Sequence, residues 1–241
     1  MTELPTVKDL AEASEDKLLK LWEGLGYYNR VRNMQKAAQK IEEEYAGKFP
    51  ENYEEIKALP GIGNYTAGAI SSFAYGIPKP AVDGNVLRVV SRLLASDEDI
   101  MKASVRTKIE NAIEPVIPED AASDFNQGLI ELGAIVCVPN GEAKCEICPL
   151  TGICEAKRLG IQNELPVKKK AKARRIEERT VLIFKDGDHV AIRKRPEKGL
   201  LAGLYELPNV EGRYSQDEIV HLVKELSLIH ISEPTRLRRI S

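Results

Sequence analysis

LPGIGNYTAGAISSFAYGIPKPAVDGN, residues Leu59 to Asn85, is the stretch that decides the fold. Just ahead of it and into its start, Tyr53 to Leu59 carries Ile56 and Leu59 at helical spacing. Pro60, Gly61, Ile62 and Gly63 interrupt, and Tyr65 to Tyr75 resumes the helical period with Ala69, Ile70 and Phe73. The pattern predicts helix, tight turn, helix. Glycines at 61 and 63 permit backbone angles that other residues avoid and put no side chain between the main chain and a ligand. The second helix opens with unpaired N–H groups and the positive end of its dipole. Such a turn suits a phosphate. A lone GIG also serves as a plain link between packed helices, so the weight falls on the residues after the second helix.

There stands Asp83, after Pro80, Ala81 and Val82 and ahead of apolar positions Val86, Leu87, Val90, Leu93 and Leu94. That arrangement predicts a helix with Asp83 as its N-cap. Capping alone accounts for an isolated aspartate. The same position also suits catalysis, because helix N-termini favour negative charge and a carboxylate there can face the cationic sugar formed when a glycosidic bond breaks.

A second cluster is made of sulfur. All four cysteines, Cys137, Cys145, Cys148 and Cys154, are spaced C-x7-C-x2-C-x5-C. No signal peptide or membrane run points to an oxidising compartment, so disulfides are disfavoured, and the spacing alone suits zinc or an iron–sulfur cluster equally. The frame around these clusters is 241 residues with net charge −2, 43% hydrophobic and 30% charged. It predicts a soluble intracellular protein with one large or two modest domains, and it argues against charge-driven coating of DNA. The dense basic run, Lys168, Lys169, Lys170, Lys172, Arg174 and Arg175, follows Pro166 and reads as a solvated linker. Beyond it the period changes: Thr180 to Phe184 and His189 to Arg193 predict two strands joined by a turn at Lys185 to Asp188.

With the hairpin, the Gly/Pro-rich loop and Asp83 together, the chain resembles the helix-hairpin-helix DNA glycosylase superfamily. Trp22 to Asn33 (WEGLGYYNRVRN) and the VDGNV segment resemble its adenine DNA glycosylase branch, the MutY type, and the resemblance runs from about Leu4 to about Pro208. It implies a mainly α fold: a helix-hairpin-helix glycosylase domain with an iron–sulfur cluster loop over 1–160, a basic linker over 161–178, and a partial α/β Nudix-like domain over 179–225. The implied activity is hydrolysis of the N-glycosidic bond of adenine mispaired with 8-oxoguanine or guanine in double-stranded DNA, by a monomer without membrane contact in the bacterial cytoplasm, at the nucleoid.

The resemblance carries over residue by residue. Gly61, Ile62 and Gly63 become the phosphate-binding turn, and Asp83 the stabiliser of an oxocarbenium-like intermediate. Tyr65 stands where the endonuclease III branch has a lysine that forms a Schiff base. Tyrosine cannot do this, so a monofunctional enzyme is implied, with Tyr65 bonding near Asp83 and Asn85 orienting that carboxylate. The cysteines become ligands of a [4Fe–4S] cluster rather than zinc. The family's first inter-cysteine interval is six residues, where Val138 to Lys144 makes seven, and Lys144 is the one base left in that loop for DNA. Tyr27 or Tyr28, beside Arg30 and Arg32, wedges into the base stack while the other packs. Gly199 to Pro208 resembles the Nudix-like domain, without the REUXEE glutamate box of a hydrolase.

The two ends depart from the family. Glu3 to Val7 resemble a segment that elsewhere follows two helices carrying a glutamine-rich DNA-inserting stretch and the general-acid glutamate, so Met1 reads as internal and the chain as written is expected to be weakly active or inactive. Leu226 to Ser241 (LSLIHISEPTRLRRIS) resembles a translated sequencing adapter, a non-native tail over 226–241. The competing readings are an endonuclease III-like glycosylase/lyase, a noncatalytic DNA-binding module with structural zinc, and a Nudix hydrolase.

Overall fold

The computed structural model describes residues 2–169, 175–215 and 217–222, with the backbone of 238–239. The chain divides into two compact units, Met1–Ala171 and Lys172–Ser241. No helix among the described residues is long and apolar enough to cross a membrane.

The first unit is helical. α1 (Val7–Glu12) opens on a reciprocal capping box between Thr6 and Asp9, and α2 (Glu15–Leu21) on Ser14. α1 packs on α3 (Asn29–Tyr45), which buries Val31, Ala38 and Ile41. The predicted hairpin is α4 (Tyr53–Lys57), capped by Asn52, and α5 (Asn64–Tyr75). α6 (Gly84–Leu93) begins at Asp83, as the capping pattern predicts. α7 (Ala103–Ile113) and α8 (Ala122–Glu131) come next; α8 runs on through a π-helical turn, Leu132–Val136, to Cys137, and α9 (Glu155–Leu159) closes the cysteine loop.

The apolar stripe of α6 organises the core. Val86, Leu87 and Val90, with Val82 ahead of them, pack with Ile100, Val105, Ile109, Ile113, Ile117 and Ala122, and Phe125, Leu129 and Ile130 lean on that cluster. The loop that delivers Asp83 is pinned from α8. Asn126, 2% exposed, donates to the carbonyls of Lys79 and Ala122 and accepts from the N–H of Ala81 at 2.9–3.0 Å, so every strong polar group of a buried amide is used. On the other side α5 meets the loop at Gly68, where an added Cβ would lie 1.9 Å from the Pro80 carbonyl oxygen.

Ile161 to Lys169, expected as linker, belongs to the first unit. Leu165 is buried, the Val167 carbonyl accepts from Ile100 N–H at 3.2 Å, and Lys169 N–H reaches Asp99. The remainder of the basic run, 170–174, lies outside the described residues. In the second unit β1 (Arg179–Val181) pairs antiparallel with β6 (Asn209–Glu211), β2 (Lys185–Asp186) with β3 (His189–Val190), and β4 (Arg193–Lys194) with β5 (Tyr205–Glu206). The expected strand from Thr180 to Phe184 is therefore split. Its first half extends the β1–β6 ladder through Leu182 N–H to Pro208 O, and Phe184 O accepts from Ala191 instead. The turn is Gly187–Asp188, with Lys185 and Asp186 inside the ladder. Of the expected tail, only 238–239 is described, paired with β3.

Two helix-interior glycines give opposite predictions. Gly68→Ala should lower stability by about 1–3 kcal/mol or more, because the Pro80 backbone has to move. Gly128→Ala in α8, where an added Cβ meets nothing within 4 Å, should raise it by about 0.5–1 kcal/mol. Urea unfolding of the two variants checks both signs; equal effects would show that the α5–loop contact does not constrain the fold.

Candidate active site and cysteine centre

In the hairpin the two glycines do different work. Gly61 has φ +79, and an added Cβ would lie 2.5 Å from Asn33 Cβ, so both conformation and packing demand glycine. Gly63 corrects the expectation of a second forbidden angle: it is extended at φ −94 and ψ 178, caps α5 without a side chain, and has open space where a Cβ would be. The first glycine shapes the turn. The second leaves the free N–H groups of α5 uncovered, with Ile62 half-buried between them.

Asp83 is held at both oxygens. Oδ1 accepts from the N–H groups of Asn85 and Val86 at 2.8 Å each, and Oδ2 accepts from Asn85 Nδ2 at 2.9 Å. Asn85 is half-buried against the backbone of Gly133, where an added Cβ would come 2.6 Å from Asn85 Cβ. Tyr65 departs from expectation. The residue is 42% exposed, and among the described residues no hydrogen bond joins it to Asp83, whose oxygens are already engaged by the cap and by Asn85.

Behind Asp83 run two arginines not singled out by sequence pattern, Arg88 and Arg92, both 4% exposed. The Arg88 guanidinium donates from Nη2 to Asn85 Oδ1 at 2.8 Å and to Gly133 O at 2.7 Å, and from Nε to Cys137 O at 2.8 Å. Burial pushes its pKa down; the Cys137 thiol opposes this, Arg92 adds to it, and Asp83 opposes it. One turn on, Arg92 donates from Nη1 to Cys137 Sγ at 3.2 Å and to Val138 O at 3.0 Å, and from Nε to Leu165 O at 2.9 Å. The signal in the sequence was two charges four apart among valines and leucines in one short helix.

All four cysteines are free thiols lining one cavity with Arg92, Lys144, Lys157 and Gln162. Burial pushes the Cys145 thiol up, opposed by Lys157. Among the described residues no three His, Cys, Asp or Glu side chains converge on a single-ion site. Lys144 is exposed and borders this cavity. Far along the chain from these groups, Tyr27 and Tyr28 separate. Tyr27 is 78% exposed at φ +48, with the Arg30 guanidinium 5.0 Å from its ring centre, whereas Tyr28 is half-buried at the start of α3.

Arg88→Met would leave two carbonyls and an amide oxygen without their donor inside the protein. The expected loss of stability is about 3 kcal/mol, measured as a lowered urea midpoint, with Arg88→Lys recovering only part because an ammonium lacks the planar fork. Wild-type stability in the methionine variant would show that these bonds carry no net weight.

Residues 1–115 match the family described as HhH-GPD superfamily base excision DNA repair protein. The chain is 34% identical over 88% of its length to an adenine DNA glycosylase of Schizosaccharomyces pombe, covering 55% of that protein, and 33% identical over 87% to one from Homo sapiens, covering 47% of it. It thus spans about half the length of these relatives. Among solved structures it is similar to endonuclease III in a non-covalent complex with DNA, with TM-score 0.57 and 28% identity over 67% of this chain and 73% of that one. A thermostable thymine-DNA glycosylase gives TM-score 0.58 and 26% identity over 66% and 72%. The hairpin and the capping aspartate both lie inside the family match: residues 1–115 carry the likeness to the helix-hairpin-helix (HhH-GPD) superfamily of base excision DNA repair proteins.

Proposed function

We propose that this protein acts as a monofunctional DNA glycosylase that removes adenine paired with 8-oxoguanine or guanine in double-stranded DNA. The observation that carries the reading is Asp83, a carboxylate immobilised by two backbone donors and Asn85 on the segment that also bears the open α5 turn. A phosphate on the Gly63 side of that turn anchors the strand. Negative charge at Asp83 faces the sugar as the glycosidic bond lengthens and the ring becomes cationic. Tyr65 offers no amine, so no Schiff base forms with the sugar.

Tyr27 is the wedge of the two tyrosines. Its left-handed backbone is costly for an aromatic residue, and Trp22 Nε1 holds the turn by donating to Gly26 O at 2.8 Å, leaving the ring in solvent. Arg30 covers one face of that ring and brings positive charge to the same point. Lys144 contributes a further phosphate contact from the cysteine loop.

The four cysteines fit a [4Fe–4S] cluster. Their thiols line one cavity, and soft sulfur donors gathered in this way are the ligands such clusters take. Two buried guanidiniums one turn apart also call for anionic partners, which Asp83 supplies at one end and metal-bound thiolates would supply at the other. When bound, the cluster cross-links the loop from Cys137 to Cys154 and fixes Lys144. The strands of the second unit, between Arg179 and Glu211, belong to a Nudix-like unit that contacts the 8-oxoguanine side of the mispair.

Single-turnover excision from an adenine:8-oxoguanine duplex tests the reading. Asp83→Asn keeps a competent helix cap and should slow adenine release about 10²-fold or more without loss of stability. Undiminished release would remove Asp83 from the chemistry, and a covalent DNA adduct after borohydride treatment would replace the monofunctional reading with a lyase.

A further inference from the structure

Three buried side-chain atoms among the described residues have no hydrogen-bond partner: Ser71 Oγ, Ser91 Oγ and Gln162 Oε1. Gln162 alone of these residues lines the cavity shared by the four cysteines. Gln162 is half-buried, but its Oε1 is shut off from solvent without a partner, and an unsatisfied polar atom on a residue that lines a cavity points to what the cavity receives. The backbone around it is well fastened. α9 ends at Gly160 with φ +73, Ile161 N–H returns to Ala156 O at 2.9 Å, and Glu164 N–H closes the next turn on Ile161 O at 3.0 Å. Leu165, three residues on, is clamped through its carbonyl by Arg92, the residue that also donates to Cys137 Sγ. Gln162 therefore sits in a short, doubly fastened turn that borders the same cavity as the α6 arginine.

We propose that Gln162 is a tuning residue of the cysteine centre, its carboxamide donating an N–H to sulfur of the bound iron–sulfur cluster and raising the cluster's reduction potential. The inference rests on the cluster reading of the four cysteines. The two ends of a carboxamide occupy the same volume, so a half-turn of the terminal torsion replaces the orphaned oxygen with an NH₂ group, and the thiolate and sulfide sulfurs of an anionic cluster accept it. Donors to sulfur withdraw charge and favour the reduced state, in which the cluster has gained one electron. Gln162 adds a neutral donor to the cationic one from Arg92, so the potential responds to it without a change in the site's net charge.

The full 241-residue chain, loaded anaerobically with ferrous iron and sulfide, provides the test. Iron and sulfide content with visible absorbance reports loading, circular dichroism reports folding, and titration against mediator dyes, which supply or take up the single electron, gives the midpoint potential. Gln162→Leu should shift the oxidised-to-reduced ratio at fixed potential toward oxidised by about tenfold, the weight of one hydrogen bond, equal to about 59 mV for a one-electron couple. Gln162→Glu, which keeps the shape but adds negative charge, should shift it further the same way. Either folded variant decides the matter, since both lack the donor. A loaded variant with the wild-type potential overturns the role of Gln162 and leaves the cluster reading standing. A wild-type chain that takes up no iron and sulfide overturns both.

Discussion

The burial of Arg88 is the constraint on which the rest of the first unit depends. A guanidinium taken almost wholly out of water is tolerable only if its donors are met and its charge is answered. Here Nε and Nη2 reach three acceptors on three segments: the Asn85 side chain next to Asp83, the Gly133 carbonyl in the π-helical turn, and the carbonyl of the first cysteine. No one of these segments can shift without stranding a buried donor or acceptor. The turn from Leu132 to Val136 answers the same demand, since it continues α8 while bringing the Gly133 carbonyl against α6 and delivering Cys137 to the cavity.

The features legible in the sequence are those that local chemistry determines. Pro60 and Gly61 break a helical period, Asp83 precedes an amphipathic one, and four cysteines gather in one short stretch; each of these signals lies within a few residues and survives folding unchanged. Arg88 and Arg92 were not legible as site residues. On α6 they resemble the polar positions of a surface helix, and only the arrival of Gly133, Cys137 and Leu165 turns that face inward. The same reason hides the role of Ile161 to Lys169. A polar stretch before a lysine run reads as linker until Arg92 and Ile100 are seen to hold its carbonyls. The split of the Thr180 strand is likewise non-local, since its partner is Asn209 to Glu211 and not the adjacent hairpin.

The hairpin shows why a glycine pattern underdetermines a site. Gly61 and Gly63 look equivalent in the sequence, yet one satisfies backbone and packing limits and the other leaves space. Phosphate affinity requires both: a turn sharp enough to end α4 and start α5 within a few residues, and a helix start with nothing in front of its N–H groups. Tyr27 and Tyr28 divide in the same way. Adjacent and chemically identical, they are separated by one left-handed backbone angle that sends one ring to solvent and leaves the other at the head of α3.

α6 has a different electrostatic task at each end. Its N-terminus is met by the Asp83 carboxylate, the favourable sign for the positive end of the dipole, and the capping bonds fix Asp83 in rotation. Its C-terminus carries partial negative charge toward the side where the cysteines gather, an unfavourable neighbour for thiolates. Arg92, in the last turn, reverses that sign locally: its guanidinium reaches Cys137 Sγ and Val138 O, while its own carbonyl lies 3.6 Å from Cys154 Sγ. With Arg88 midway, one helix of ten residues, about 15 Å long, holds a carboxylate at one end and a thiol centre at the other, and neither can be displaced without disturbing the charges that support its partner.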